Sequence, residues 1–112
     1  MKIAIPVTDE RLATHFGHCE KFAFIEADER GAITSETEYV TPPPHEPGVL
    51  PGWLHGHGVT HVIAGGMGQR ALQLFQANGI QVVVGAPSDD PESSVRAFLS
   101  GTLERTENLC DH

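Results

Sequence analysis

At 112 residues, with 39% apolar and 20% charged residues, the chain has the size and make-up of one soluble globular domain. Its 15 acidic residues against 7 basic give a formal charge of −8, which disfavours nucleic acid and anionic membrane surfaces, since both are held by clustered Lys and Arg. No apolar run reaches 18 residues, and the stretch after Lys2 is too short for a signal-peptide core, so a cytoplasmic protein with Cys19 and Cys110 as thiols or ligands is expected.

Lys2 to Val7 reads as a buried strand, with Ile3, Ile5 and Val7 alternating around small residues. Thr8 to Cys19 follows as a polar loop. Lys21 to Ala27 is a second strand, Asp28 to Gly31 a turn, and Ala32 to Val40 a third strand, which together make an antiparallel meander. Five prolines between Thr41 and Pro51 predict a stiff extended loop, either functional or a passive crossover. A short helix is expected from about Pro51 to His57, with Pro51 at its first position. His61 to Ala64 is a strand, Gly65 to Gly68 (GGMG) a turn, Gln69 to Ala77 a helix and Ile80 to Val84 a strand, which is a βαβ unit with parallel strands. Asp90 as N-cap and Pro91 at the next position open a last helix that Gly101 ends. The order implies an α/β fold of ribonuclease-H-like topology: a five-stranded mixed sheet, three-strand meander then βαβ, with flanking helices. Residues 1–103 form the domain and 104–112 a flexible tail.

The ligand-type side chains are clustered. His15, His18 and Cys19 stand in HFGHC, His55, His57 and His61 in HGHGVTH, and Cys110 and His112 in the terminal CDH. Grouping of this kind points to metal handling, although any one histidine taken alone is more often structural or solvated. A tetrahedral zinc site from His15, His18, Cys19 and a remote ligand is conceivable, but the spacing fits no zinc-finger pattern. Two Cys cannot hold an ordinary four-thiolate iron–sulfur cluster, whereas a preassembled cluster that brings its own sulfides needs fewer protein ligands. A hydrolase of this topology needs carboxylates on its central strands, and KIAIPV and HVIA carry none.

GGMG opens a helix at a strand end. It is either a tight turn that needs small residues or an anion cradle of backbone N–H groups. Strand 1 ends at HFGHC and strand 4 at GGMG, so parallel neighbours would place both loops on one rim. Arg11, Lys21 and Arg70 would partly offset an anionic guest there. As loop residues outside the core, His18 and Cys19 are expected to be replaceable with little change in stability.

The runs HFGHCEKFAFIEA after KIAIPVTD, HEPGVLPGWLHGHGV, and VIAGGMGQRALQLFQANGIQVVVGA resemble the dinitrogenase iron–molybdenum cofactor biosynthesis family, the group of NifX-like and NifB C-terminal-like domains. The resemblance spans Met1 to about Leu103, and His15 to Gly17 with Gly65 to Ala71 carry its most specific part. It implies a ribonuclease-H-like fold without nuclease chemistry, used to bind or carry molybdenum–iron or related metal–sulfur clusters. The orange protein of sulfate reducers, which holds a molybdenum–copper sulfide cluster, is similar too. On this reading the chain is a non-enzymatic carrier or scaffold. Its candidate metal ligands are His15, His18, Cys19, His55, His57, Cys110 and His112, and Gly65, Gly66, Met67, Gly68 and Arg70 cradle the cluster. Its partners are cluster donor or acceptor proteins, with a homodimer left open. The alternative is a metal-free signalling or interaction domain on the same fold.

Overall fold

The first strand, β1 (Lys2–Thr8), runs through the middle of the molecule, and its five interior residues are buried on both faces. A computed structural model describes residues 1–13, 19–44 and 48–101. After β1 come β2 (Arg11–Leu12), β3 (Lys21–Glu26), β4 (Glu38–Val40), α1 (Val49–Gly56), β5 (His61–Ile63), α2 (Gln69–Ala77), β6 (Gln81–Val83) and α3 (Pro91–Ser100). They build a mixed α/β fold with one six-stranded sheet. Five strands lie in the order β4-β3-β1-β5-β6, and β2 pairs with the end of β1. The first three of the main strands are antiparallel, whereas β1, β5 and β6 are parallel.

Period-2 alternation divides the core between the two faces. Ala4, Phe22, Phe24 and Val62 turn toward one cluster, which includes Leu50 and Leu54 of α1 and Phe75 of α2. Ile3, Ile5, Val7, Ala23, Ile25 and Ile63 turn toward the other, with Val95 of α3. Helices α1 and α2 therefore cover one face and α3 the other. The βαβ helix matches its sequence expectation residue for residue. For α3, Asp90 accepts the Ser93 N–H at 3.2 Å, and Gly101 closes the helix at φ 77°, a backbone state that glycine adopts freely.

Three elements depart from the sequence reading. The expected polar loop after β1 contains β2, which is the sixth strand where five were expected. Thr8 pairs with Arg11 across a two-residue hairpin turn, and both turn residues, Asp9 (φ 54°) and Glu10 (φ 66°), are left-handed, as that turn requires. The third strand covers only Glu38–Val40 of the expected Ala32–Val40. Its start survives as a single bridge, Ala27 to Ile33, after which the Ser35 hydroxyl accepts the Glu26 N–H that a backbone carbonyl would otherwise take. Helix α1 begins at Val49 rather than Pro51. Pro51 sits in the first turn, where the missing N–H costs no hydrogen bond.

No helix among the described residues is long and apolar enough to cross a membrane. The tail 104–112 lies outside the described residues.

Candidate functional site at the carboxyl rim of the sheet

Ala13 and Glu20, which flank the HFGHC segment in sequence, are both tied to β1. The Ala13 N–H donates to the Pro6 carbonyl at 2.8 Å, and the Glu20 N–H donates to the Val7 carbonyl at 2.9 Å. Pro6 can sit inside the strand because β5 has ended at that level: the parallel register pairs Ile3 with His61 and Ala4 with Val62, and β5 stops at Ile63. The chain leaving β5 enters GGMG at the same carboxyl end of the sheet. There the Gly85 N–H donates to the Gly65 carbonyl at 2.7 Å, and the Ala86 N–H to the Ala64 carbonyl at 3.2 Å. The Leu12 N–H reaches the Asp89 carbonyl at 2.8 Å, so the segment between β6 and α3 closes the rim from the α3 side.

Cys19 is the one candidate thiol among the described residues. It is 7% exposed and belongs to the same apolar cluster as Ala13, Ala64 and Met67. The expectation of a dispensable loop side chain is thus corrected, since Cys19 is a core residue facing the α1/α2 side of the rim. Burial raises its thiol to about 11, and its backbone hydrogen bond offsets part of that rise. At neutral pH the group is a protonated thiol, and a soft metal binding there displaces the proton and takes the thiolate.

The GGMG turn is unequally exposed. Gly65, Gly66 and Met67 are buried, whereas Gly68 and Arg70 are exposed. Met67 is fully enclosed, which makes it first a packing residue. Gly68 is the N-cap of α2, and no side chain caps this helix and no acidic residue lies in its first turn. The positive end of the α2 dipole therefore stays uncompensated by acidic or capping side chains, and Arg70, exposed, belongs to the same first turn. A thiol, uncapped helix N–H groups and a cation can together hold a soft-metal anion.

The structure sets the second histidine group apart from this rim. His55 and His57 lie at the far end of α1, beside the start of β1, where the Lys2 ammonium donates to the His57 carbonyl at 2.9 Å. The His57 ring meets Trp53 edge-on at 4.8 Å between centroids and Phe24 at 5.5 Å. His61 begins β5 at that same end, with Nδ1 at 2.7 Å from the Thr60 hydroxyl and its ring 5.8 Å from Phe98. Burial lowers the His61 pKa, and the N-terminal charge lowers it further. His15, His18, Cys110 and His112 lie outside the described residues. No three His, Cys, Asp or Glu side chains among the described residues form a metal-sized group.

Beside the rim lies a feature that sequence reading missed. A groove of about 560 Å³ is lined by Asp9, Glu10, Glu20 and Asp90 together with Lys21 and Tyr39. These residues come from four separate elements and converge only through the β1–β2 hairpin, which the Asp-Glu turn did not announce.

Residues 1–101 match the family model described as dinitrogenase iron–molybdenum cofactor. An uncharacterized protein of Methanocaldococcus jannaschii is 33% identical over 111 residues, covering 96% of this chain and 92% of its own. Among solved structures, PH0822 superposes with a TM-score of 0.83 at 31% identity over 94% of each chain. The apo form of the orange protein from Desulfovibrio gigas superposes with a TM-score of 0.74 at 25% identity, over 96% of this chain and 93% of that one. The chain belongs to the dinitrogenase iron–molybdenum cofactor family.

Proposed function

We propose that this protein is a non-enzymatic carrier or scaffold for an anionic metal–sulfur cluster that contains molybdenum, iron or both. The observation that carries the reading is Cys19, a buried soft donor in the same apolar cluster as Met67 of the glycine turn that opens the uncapped helix α2. Family membership over residues 1–101 supports it. In this reading Cys19 supplies a thiolate, the N–H groups at Gly68 and the start of α2 face the cluster's negative charge, and Arg70 adds a cation. His15 and His18 complete the ligand set from between Ala13 and Cys19 in sequence, and Cys110 and His112 add to it from the tail. Gly65 and Gly66 let the backbone approach closely. His55 and His57 stand at the other end of the sheet and are left out of this set.

The same reading takes the order β4-β3-β1-β5-β6, antiparallel on one side and parallel on the other, as ribonuclease-H-like. The central strands β1 and β5 carry no carboxylate, which supports binding rather than metal-assisted hydrolysis. Cluster donors and acceptors in the cytoplasm are the partners it implies.

The test is purification from the native host without oxygen, followed by metal analysis and an absorption spectrum. Visible charge-transfer bands with molybdenum, iron or copper, lost in Cys19→Ala, are expected. A colourless protein that stays colourless after cluster reconstitution would instead identify a metal-free interaction domain.

A further inference from the structure

Strand β4 is an outer edge of the sheet, and among the described residues it pairs with β3 alone. An unpaired edge is a row of backbone donors and acceptors open to another strand. Tyr39, at the middle of this edge, is 47% exposed, one of two large apolar side chains described as exposed. Exposed tyrosine on a free edge favours contact with a partner, because the ring offers rigid apolar area and a polar tip. The same Tyr39 lines the groove of about 560 Å³ together with four acidic residues, Asp9, Glu10, Glu20 and Asp90, and one basic residue, Lys21. Glu38, next along β4, is exposed as well.

We propose that the β4 edge, with Tyr39 and the acidic groove beside it, docks an extended Lys- and Arg-bearing segment of a partner protein as an added strand. Strand addition draws affinity from main-chain hydrogen bonds and specificity from alternate side chains. The charge selects the occupant. Tyr39, opposite Ala23, stands on the α3 face with the groove, and Glu38, opposite Phe24, on the other face, so basic side chains at every second position of the added strand lie over Tyr39 and the groove carboxylates. A second copy of this chain is disfavoured on the same ground, because pairing two β4 edges sets Glu38 and the groove of one copy against those of the other. The docked segment would run toward Glu20, the neighbour of Cys19, which brings a partner to the rim. The docking itself does not depend on a bound cluster, and its test uses none.

The test titrates the ¹⁵N-labelled full chain with an alternating Lys-Val heptapeptide, with a Glu-Val heptapeptide as control. Amide shifts at Glu38, Tyr39, Val40 and the groove residues are expected with the Lys-Val peptide, and affinity should weaken with added salt as surface charges are screened. E10K, at an exposed carboxylate of the groove, should weaken binding about tenfold, equivalent to about 1.4 kcal/mol, and Y39S should weaken it as well. Both side chains are exposed, so both variants should keep the wild-type circular dichroism spectrum. Shifts at the β6 edge instead, equal binding of the Glu-Val peptide, or unchanged affinity in E10K would overturn the proposal. So would self-association of the free chain through β4 in sedimentation.

Discussion

Replacing Cys19 separates its part in packing from its part as a donor. The side chain is 7% exposed within an apolar cluster, so Cys19→Ala removes one buried sulfur. The loss is about 1 kcal/mol, on the scale of a buried methylene with a small residual cavity. Cys19→Ser keeps the volume but buries a hydroxyl among apolar groups, at about 1–3 kcal/mol. Serine should therefore be the more damaging of the two. For a chain of 112 residues, unfolding entropy near 2.1 cal/mol/K per residue makes each kcal/mol worth about 4 °C in Tm. The thiol adds a pH signature. Its pKa rises from 9.0 to about 11 in the folded chain, so the folded state holds the proton more tightly than the unfolded one. That stabilisation is complete below pH 9 and is lost as pH rises from 9 through 11, on the order of 3 kcal/mol. Urea denaturation between pH 7 and 11 on wild type and both variants measures all of this. The reasoning is refuted if serine matches wild type, or if wild type and Cys19→Ala lose stability in parallel above pH 9.

Met67→Ala empties a fully enclosed site and should cost about 2–5 kcal/mol in urea denaturation; a loss below about 1 kcal/mol would mean the side chain is not packed as described. Glu10→Gly relieves a left-handed residue at φ 66°. Strain of about 1–2 kcal/mol is removed against an unfolded-state entropy cost of about 0.4–1 kcal/mol, so Tm should rise slightly rather than fall. The lowered His61 pKa means the unfolded chain takes up a proton first, so its share of stability is full above about pH 6.5 and drains away as pH falls below that; His61→Gln should flatten this slope in thermal melts across pH 7 to 5. His57→Ala, at the far end of the sheet, should leave the metal content of anaerobically purified protein at the wild-type level, and a marked loss would return His57 to the ligand set.

What was legible in the sequence is what local chemistry dictates. Helix α2 could be read because Ala71, Leu72 and Phe75 repeat at helical spacing between Gly68 and Asn78-Gly79, and α3 because Asp90 and Pro91 mark a start and Gly101 a stop. Strand β1 followed from Ile3, Ile5 and Val7 alternating around small residues and β3 from its apolar run at Phe22 to Ile25, although both bury residues on both faces. Hairpin β1–β2 was hidden because Asp9-Glu10 is not a glycine- or asparagine-bearing turn; tertiary pairing, not propensity, holds those residues left-handed. The gap in the third strand depends on one side-chain hydrogen bond from a residue nine positions away, which no periodicity reports. Adjacency to His15 and His18 reads Cys19 as a polar-loop residue, although its residue type, among the most often buried, points to the core. His57 falls four residues after Trp53, so its ring contact was readable from helix spacing. The clustering of histidines drew the reading toward metal instead.

A chain of charge −8 is a poor host for an anion unless its charge is unevenly placed, and the two helix starts on the rim show how it is placed. Helix α2 begins at Gly68 with no capping side chain and no carboxylate in its first turn, and Arg70 stands within that turn. Helix α3 begins at Asp90, whose carboxylate caps the Ser93 N–H, and Glu92 follows in its first turn. The positive dipole end is thus left bare on one side of the sheet and neutralised on the other. The acidic groove lies on the neutralised side, where Asp90 joins Asp9, Glu10 and Glu20. An anionic cargo is drawn to the α2 side and repelled from the α3 side, and a basic partner segment experiences the reverse. On the two proposals, cargo and partner would share one rim without competing for the same charges, with β1 between their sites.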